Sequence, residues 1–306
     1  MPTMYTSPNK HGETERVGSI EVTHNFVSAP GAVIPIDWHF VEAGEKTAET
    51  ILFLHGNPES WVAWHPQIKH FADRYHIIAP DLKGYGQGDK RPGDWRWENV
   101  AEEMLALLDK IGLTKFHIVA HDRGCVLADY MAGNHSERLL SYVRMQQICH
   151  ILRLENSPQS VYLADPIFGP NIYGNPDFYF KFRLQKMLKN PVKQELLDLL
   201  KAQMRFPGMN TAVIRYFQSS SFEKERLDRT SRLFKNMHFP VLLLQAADDD
   251  GQPPFYYNDP TNPAVAQFPN ARLQFIENCG HYSNLEKPEQ VTAAIESMLQ
   301  YVRKGE

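Results

Sequence analysis

Between residues 50 and 148, short apolar runs alternate with stretches of helical spacing, and this rhythm limits the chain to few architectures. Thr50-Ile-Leu-Phe-Leu-His55 stops at Gly56-Asn57-Pro58, which reads as a buried strand ending in a turn. Apolar residues at helical spacing from Trp61 to Asp73 follow, then the strand Tyr75-His-Ile-Ile-Ala-Pro80 and a glycine-rich loop, Asp81 to Gly88. Val100, Met104, Leu107 and Leu108 mark a helix over Glu98 to Ile111. Lys115 to Ala120 is a third strand, Cys125 to Ala132 a helix, and Leu139 to Ile148 a fourth strand despite Arg144 and two glutamines. Strands separated by helices imply a mostly parallel sheet covered on both faces, with ligands at the carboxyl ends of its strands.

The rhythm breaks near residue 150 and returns with Pro240-Val-Leu-Leu-Leu-Gln245, Ala271 to Ile276 and a last helix, Pro288 to Val302. The stretch between is rich in aromatics and helix formers. The expected organisation is therefore a core domain of residues 1–150 and 236–306, with a helical cap of residues 151–235.

Composition excludes several function classes. The formal net charge is -4, from 32 basic and 36 acidic residues, with no long run of one sign, so nucleic acid and acidic membranes are poor partners. No apolar run approaches the ~20 residues of a membrane span, and the polar N-terminal stretch lacks a signal peptide's apolar core. Cys125, Cys149 and Cys279 form no CxxC and suit reduced thiols, which points to a cytoplasmic protein. No HExxH occurs among the 13 histidines, and His65 and His70 do not share a helical face, so no metal site is expected. A small-molecule substrate is the expected partner, and oligomeric state is left open.

Four segments end strands in groups suited to acyl or alkyl transfer. Ala120-His121-Asp122-Arg123-Gly124 has the small–x–nucleophile–x–small pattern of a sharp strand-to-helix turn, with Asp122 at its apex. The helix N-terminus stabilises negative charge there. No G-x-S-x-G occurs, which disfavours a serine nucleophile. The plainer alternative is that Asp122 only caps the helix. Asn278-Cys-Gly-His281 supplies a candidate general base, His281. Of Asp248, Asp249 and Asp250, Asp249 stands four residues before Pro253 and is chosen to orient the imidazole. The backbone N–H groups of Asn57 and Arg123 are candidates for an oxyanion hole.

The chain resembles the epoxide hydrolases and haloalkane dehalogenases of the α/β-hydrolase superfamily. The resemblance rests on His55-Gly-Asn-Pro-Glu-Ser-Trp-Val-Ala-Trp64, Asp81-Leu-Lys-Gly-Tyr-Gly86, His121-Asp-Arg-Gly124 and Glu277-Asn-Cys-Gly-His281, followed by Leu285-Glu-Lys-Pro288. It covers most of residues 30–150 and 238–303. It implies an α/β-hydrolase fold with an inserted helical cap. It also implies a cofactor-free reaction in which the carboxylate attacks a saturated carbon and histidine-activated water hydrolyses the resulting ester. Opening an epoxide to a diol needs proton donors from the cap, and Tyr179 and Tyr216 stand near the matching places, Tyr216 with one residue of slippage. His55 and Trp61 are expected to line the substrate site.

Hydrolytic dehalogenation of haloalkanes or haloacids is the alternative, with Asn57 and Arg123 as leaving-group donors. Arg123 stands where haloalkane dehalogenases often carry Trp, and all five tryptophans precede residue 100. His121-Asp-Arg-Gly124 also looks like fluoroacetate dehalogenases. Val126, however, replaces their second arginine, and Ile151 follows His150 where a His-Trp pair is expected. Arg123 is assigned either to the substrate or to an acidic neighbour. A non-catalytic ligand-binding protein on the same fold is the third reading.

Overall fold

The computed structural model describes residues 7–149, 158–219 and 222–305. Nine strands are present: β1 Thr14–Val17, β2 Ile20–Ala29, β3 Ile36–Ala43, β4 Thr50–Leu54, β5 His76–Pro80, β6 Phe116–His121, β7 Leu139–Met145, β8 Val241–Ala246 and β9 Ala271–Ile276. They form one sheet in the order β1-β2-β3-β5-β4-β6-β7-β8-β9. The first three run antiparallel and join β5 antiparallel. From β5 to β9 every pairing is parallel.

Burial explains why some strands are plain in the sequence and others are not. β4, β5, β6 and β8 are buried at every residue and read as continuous apolar runs. β2 is buried only in part, with polar residues along it, and the sequence pattern gave no expectation for the β1–β3 hairpins. Its His24 is buried because it bonds His39 at 2.9 Å, and His39 in turn holds Asp81 at 2.8 Å. Arg144, which weakens the fourth-strand pattern, is fully buried on β7 and makes a two-bond pair with Asp129, each bond 3.0 Å.

Helices α1 His65–Phe71, α2 Trp97–Lys110 and α3 Arg123–Asn134 connect the parallel strands. The expected Trp61 helix is a 3-10 turn, Trp61–Trp64, running into α1. The closing helix Pro288–Lys304 buries Val291, Ala294, Ile295, Met298 and Leu299, one stripe at helical spacing. Between β7 and β8 the described chain is helical, including Phe168–Tyr173, Pro176–Tyr179, Gln194–Met204, Ile214–Ser219 and Phe222–Asp228. This is the inserted helical region expected above. The expected boundary near residue 150 lies outside the described residues.

The chain goes from β4 to β5 on one side and then to β6 on the other, so the sheet order reverses around β4. The loops after β4 and β6 meet at that reversal, the place where sheets of this kind bind ligands.

Candidate active site

β6 and α3 meet at Asp122 with no residue to spare. Asp122 has φ +46° and ψ −119°, a conformation that costs a side-chain-bearing residue roughly 1–3 kcal/mol. Two glycines make the turn possible. A Cβ on Gly124 would lie 2.5 Å from the carbonyl oxygens of Leu54 and His55, and one on Gly56 would lie 2.7 Å from the Asp122 Cβ. The Asp122 side chain does not cap α3. Instead Oδ1 accepts from the Asn57 backbone N–H at 3.0 Å, and Oδ2 lies 3.5 Å from His281 Nε2.

His281 Nδ1 bonds Asp249 Oδ2 at 2.6 Å. Asp249 Oδ1 accepts from the N–H groups of Gly251 and Gln252 at 2.9 and 3.2 Å, which fixes the carboxylate. The neighbouring acids turn elsewhere. Asp248 accepts from the Cys279 N–H, and Asp250 pairs with Lys189 at the surface. Burial pushes the Asp122 carboxyl up, but the His281 hydrogen bond and charge, His121 and the Asn57 N–H hold it well below the usual carboxylate range. Burial pushes the His281 imidazolium down, but the Asp249 charge and the hydrogen bonds to both carboxylates raise it to about 10. The resting site thus holds a protonated imidazole between two carboxylates.

A second buried layer supports these groups. His121 Nδ1 bonds Glu59 at 2.7 Å and its Nε2 bonds the His281 carbonyl at 2.9 Å. Both partners can accept, so each ring nitrogen faces a hydrogen-bond acceptor. Glu59 also accepts from Gly56 N at 2.7 Å and Asn284 Nδ2 at 2.9 Å. One carboxylate therefore ties together the loops carrying Asn57, Asp122 and His281.

Asn57 joins this layer to the inserted helices. Its Oδ1 accepts from Tyr173 at 2.8 Å and Tyr85 at 3.1 Å, and its Nδ2 donates to the Tyr179 oxygen at 3.2 Å. The Tyr282 hydroxyl donates to the Asn57 carbonyl at 3.2 Å. Tyr173 and Tyr179 stack with centroids 5.3 Å apart. Because the Tyr179 oxygen accepts, its own proton is left for another acceptor.

Asp122, His281, Asp249, Asn57 and Tyr179 are thus brought together, whereas the other candidates lie around them. The Arg123 side chain bonds Glu225 at 3.2 Å and lies over the Trp97 ring at 4.9 Å. Tyr216 stacks on Trp97 at 4.1 Å and faces Tyr85 at 6.2 Å, and its buried hydroxyl has no described hydrogen-bond partner. His55 is buried. Its Nδ1 bonds the Gly56 carbonyl at 2.8 Å and its Nε2 accepts from Leu82 N at 3.0 Å, so it braces two loops. Trp61 packs against His24 and His65.

Sequence reasoning missed Glu59, His121, Tyr85, Tyr173 and Tyr282. Glu59, Tyr85, His121 and Tyr282 stand inside or beside the quoted motifs, so adjacency was an available signal. Tyr173 lies in ordinary-looking helical sequence and carried none. Among the described residues no three His, Cys, Asp or Glu side chains are grouped to hold a metal, and no helix is long and apolar enough to cross a membrane.

The family model for the alpha/beta hydrolase fold matches residues 49–288. Bifunctional epoxide hydrolase 2 of Rattus norvegicus is 26% identical over 310 residues, covering 89% of this chain and 54% of that protein. The chain therefore spans about half the length of that relative. Haloalkane dehalogenase of Mesorhizobium japonicum is 29% identical over 196 residues, covering 62% of this chain and 63% of that protein. The crystal structure of Cfl2 from Burkholderia cenocepacia superposes with a TM-score of 0.78 at 22% identity, covering 92% of this chain and 96% of that one. With the family model spanning most of its length and the sheet, insert and strand-end loops arranged as described, this chain belongs to the α/β-hydrolase fold family and is distantly related to epoxide hydrolases and a haloalkane dehalogenase.

Proposed function

We propose that the chain hydrolyses an epoxide of a small molecule to a diol, without a cofactor, through a covalent ester on Asp122. The observation that carries this reading is the Tyr179 hydroxyl. It accepts from Asn57, and its proton is available to an oxygen leaving a carbon beside Asp122. A positioned general acid contributes typically ~10²–10⁴-fold to such a step. Residues 151–235 act in this reading as the cap that supplies it.

In the first step an Asp122 oxygen bonds the epoxide carbon, the C–O bond breaks, and its electron pair takes the Tyr179 proton. Asp122 is then a neutral ester. The two contributions of Asp122 that raise His281 are gone, so His281 releases its proton and Tyr179 is restored. Neutral His281, held by Asp249, next takes a proton from water, which attacks the ester carbonyl. The Asn57 N–H, already on Asp122 Oδ1, stabilises the tetrahedral oxyanion. Such a donor is typically worth about 3 kcal/mol. Collapse expels the diol oxygen, which takes the His281 proton, and the carboxylic acid left on residue 122 passes its proton to His281, which restores the carboxylate and the imidazolium.

The distant haloalkane dehalogenase relative keeps carbon–halogen hydrolysis as the competing reading. The Asn57 amide, which that reaction would use on the halide, is engaged with three tyrosine hydroxyls. His281→Gln tests the choice. The variant, given separate epoxide and haloalkane panels, should stall as an ester of epoxide mass on intact-protein mass spectrometry. The adduct should vanish when Asp122→Asn is added. An adduct lacking halogen, formed only from the haloalkane panel, would overturn epoxide opening in favour of dehalogenation. No adduct from either panel would remove the covalent mechanism.

A further inference from the structure

We propose that Arg183 is a positioning residue for ring opening, stabilising the phenolate that proton donation by Tyr179 leaves behind. The proposal rests on the epoxide reading above. Pro176–Tyr179, Phe180–Leu184 and Gln185–Met187 form one helical stretch, and its middle portion is a wide π turn. Such turns recur at functional sites because the added residue re-aims side chains. Tyr179 is fully buried, while Lys181 and Phe182 face outward. Arg183 is half-buried and stands four residues after Tyr179 on this stretch, a spacing that sets the two side chains on one face. Its charge acts on Tyr179, Tyr282, Tyr173 and Asp122.

Arg183 differs from other inward-facing cations of the molecule. Arg144 meets Asp129 at 3.0 Å, Lys83 meets Glu103 at 2.7 Å, and Arg123 meets Glu225 at 3.2 Å. The Arg183 Nε is buried with no hydrogen-bond partner, and no carboxylate among the described residues forms an ion pair with the guanidinium. An inward cation without a counter-charge is costly unless negative charge arrives beside it. Ring opening delivers that charge. As the Asp122–carbon bond forms and the carbon–oxygen bond breaks, Asp122 loses its charge, the departing oxygen takes the Tyr179 proton, and the negative charge settles on the Tyr179 oxygen. Burial makes Tyr179 harder to ionise, and Arg183 is the strongest opposing influence on it. The phenolate is transient, since the proton His281 releases returns it to phenol.

Single-turnover ester formation by His281→Gln isolates this step, with styrene oxide as probe. Adding Arg183→Gln should slow ester formation by about tenfold or more, as when a donor loses roughly one or two pKa units of acidity. The alkaline limb of the pH–rate profile, where Tyr179 ionises, should move to higher pH. Arg183→Lys should restore most of both, which separates electrostatics from misfolding. In a Tyr179→Phe background, Arg183→Gln should add little further loss. An unmoved alkaline limb, or losses that multiply fully when the two changes are combined, would overturn the proposal while leaving epoxide hydrolysis intact. Absence of any ester in His281→Gln itself would overturn both, and it would be seen before Arg183 is changed.

Discussion

The sheet side of the candidate site and the inserted helices above it are built by different means. On the sheet side, Asp122, His281 and Asp249 sit on strand-end loops locked by backbone hydrogen bonds, a strained φ and the buried Glu59–His121 pair. On the helical side, Tyr173 and Tyr179 stack on each other and join the same groups through side-chain bonds to Asn57. The first arrangement suits groups that must meet the reacting carbon in one geometry. The second suits groups that follow the shape of a leaving group, which varies among substrates. Under the proposed reaction the difference assigns bond-making chemistry to the sheet and leaving-group chemistry to the insert, with Asn57 as the joint.

Three measurements would break or sharpen that contrast. The largest effect is expected at Glu59, whose removal leaves the buried His121 ring without its partner and frees three loops at once. Glu59→Ala should lower unfolding stability by about 3–5 kcal/mol, read by urea denaturation, and activity should fall with it. Tyr179→Phe should be smaller and of another kind. Ring opening should slow by about 10²-fold with the urea midpoint nearly unchanged. Equal destabilisation by both variants would end the distinction between a fixed frame and an adaptable wall. The smallest effect concerns pH. His281 is raised to about 10 in the free enzyme by Asp249 and Asp122, against burial. Ester formation removes the Asp122 charge, so the apparent pKa for ester hydrolysis should lie below 10. The rate of ester breakdown in a quenched-flow assay should therefore rise with pH and level off below that value. A profile still rising at pH 10 would show that Asp122 does not hold the proton on His281.

The same division explains what the sequence revealed. The parallel strands were legible because burial on both faces leaves uninterrupted apolar runs, as in Ile51 to Leu54 and Ile77 to Ala79. The Asp122 turn was legible because a tight strand-to-helix turn demands small residues at fixed offsets, whereas Asp249 was picked from three adjacent acids by its spacing to Pro253. The antiparallel strands β1 to β3 were not legible, because their burial depends on long-range bonds such as His24 to His39. Arg123 shows the limit of motif reasoning, since its pairing with Glu225 joins residues 102 positions apart. Trp61 and Tyr216 stood at plausible positions, yet ring packing against His65 and Trp97 sets their places. No local rule marks Tyr173 or Arg183, because a helix face gives no sign of what it will meet.

Around Gly56 and Gly124 the nearest atoms are backbone, the buried Glu59 and His121 side chains and, of residue 122, the Cβ alone. Nothing in that clasp senses what lies beyond the Cβ of residue 122. The apex is therefore a socket, and the scaffold tolerates a change of tool. Divergence to a new reaction in such a chain can begin with the residue in the socket and proceed by retuning the insert, while the fold that presents it stays untouched.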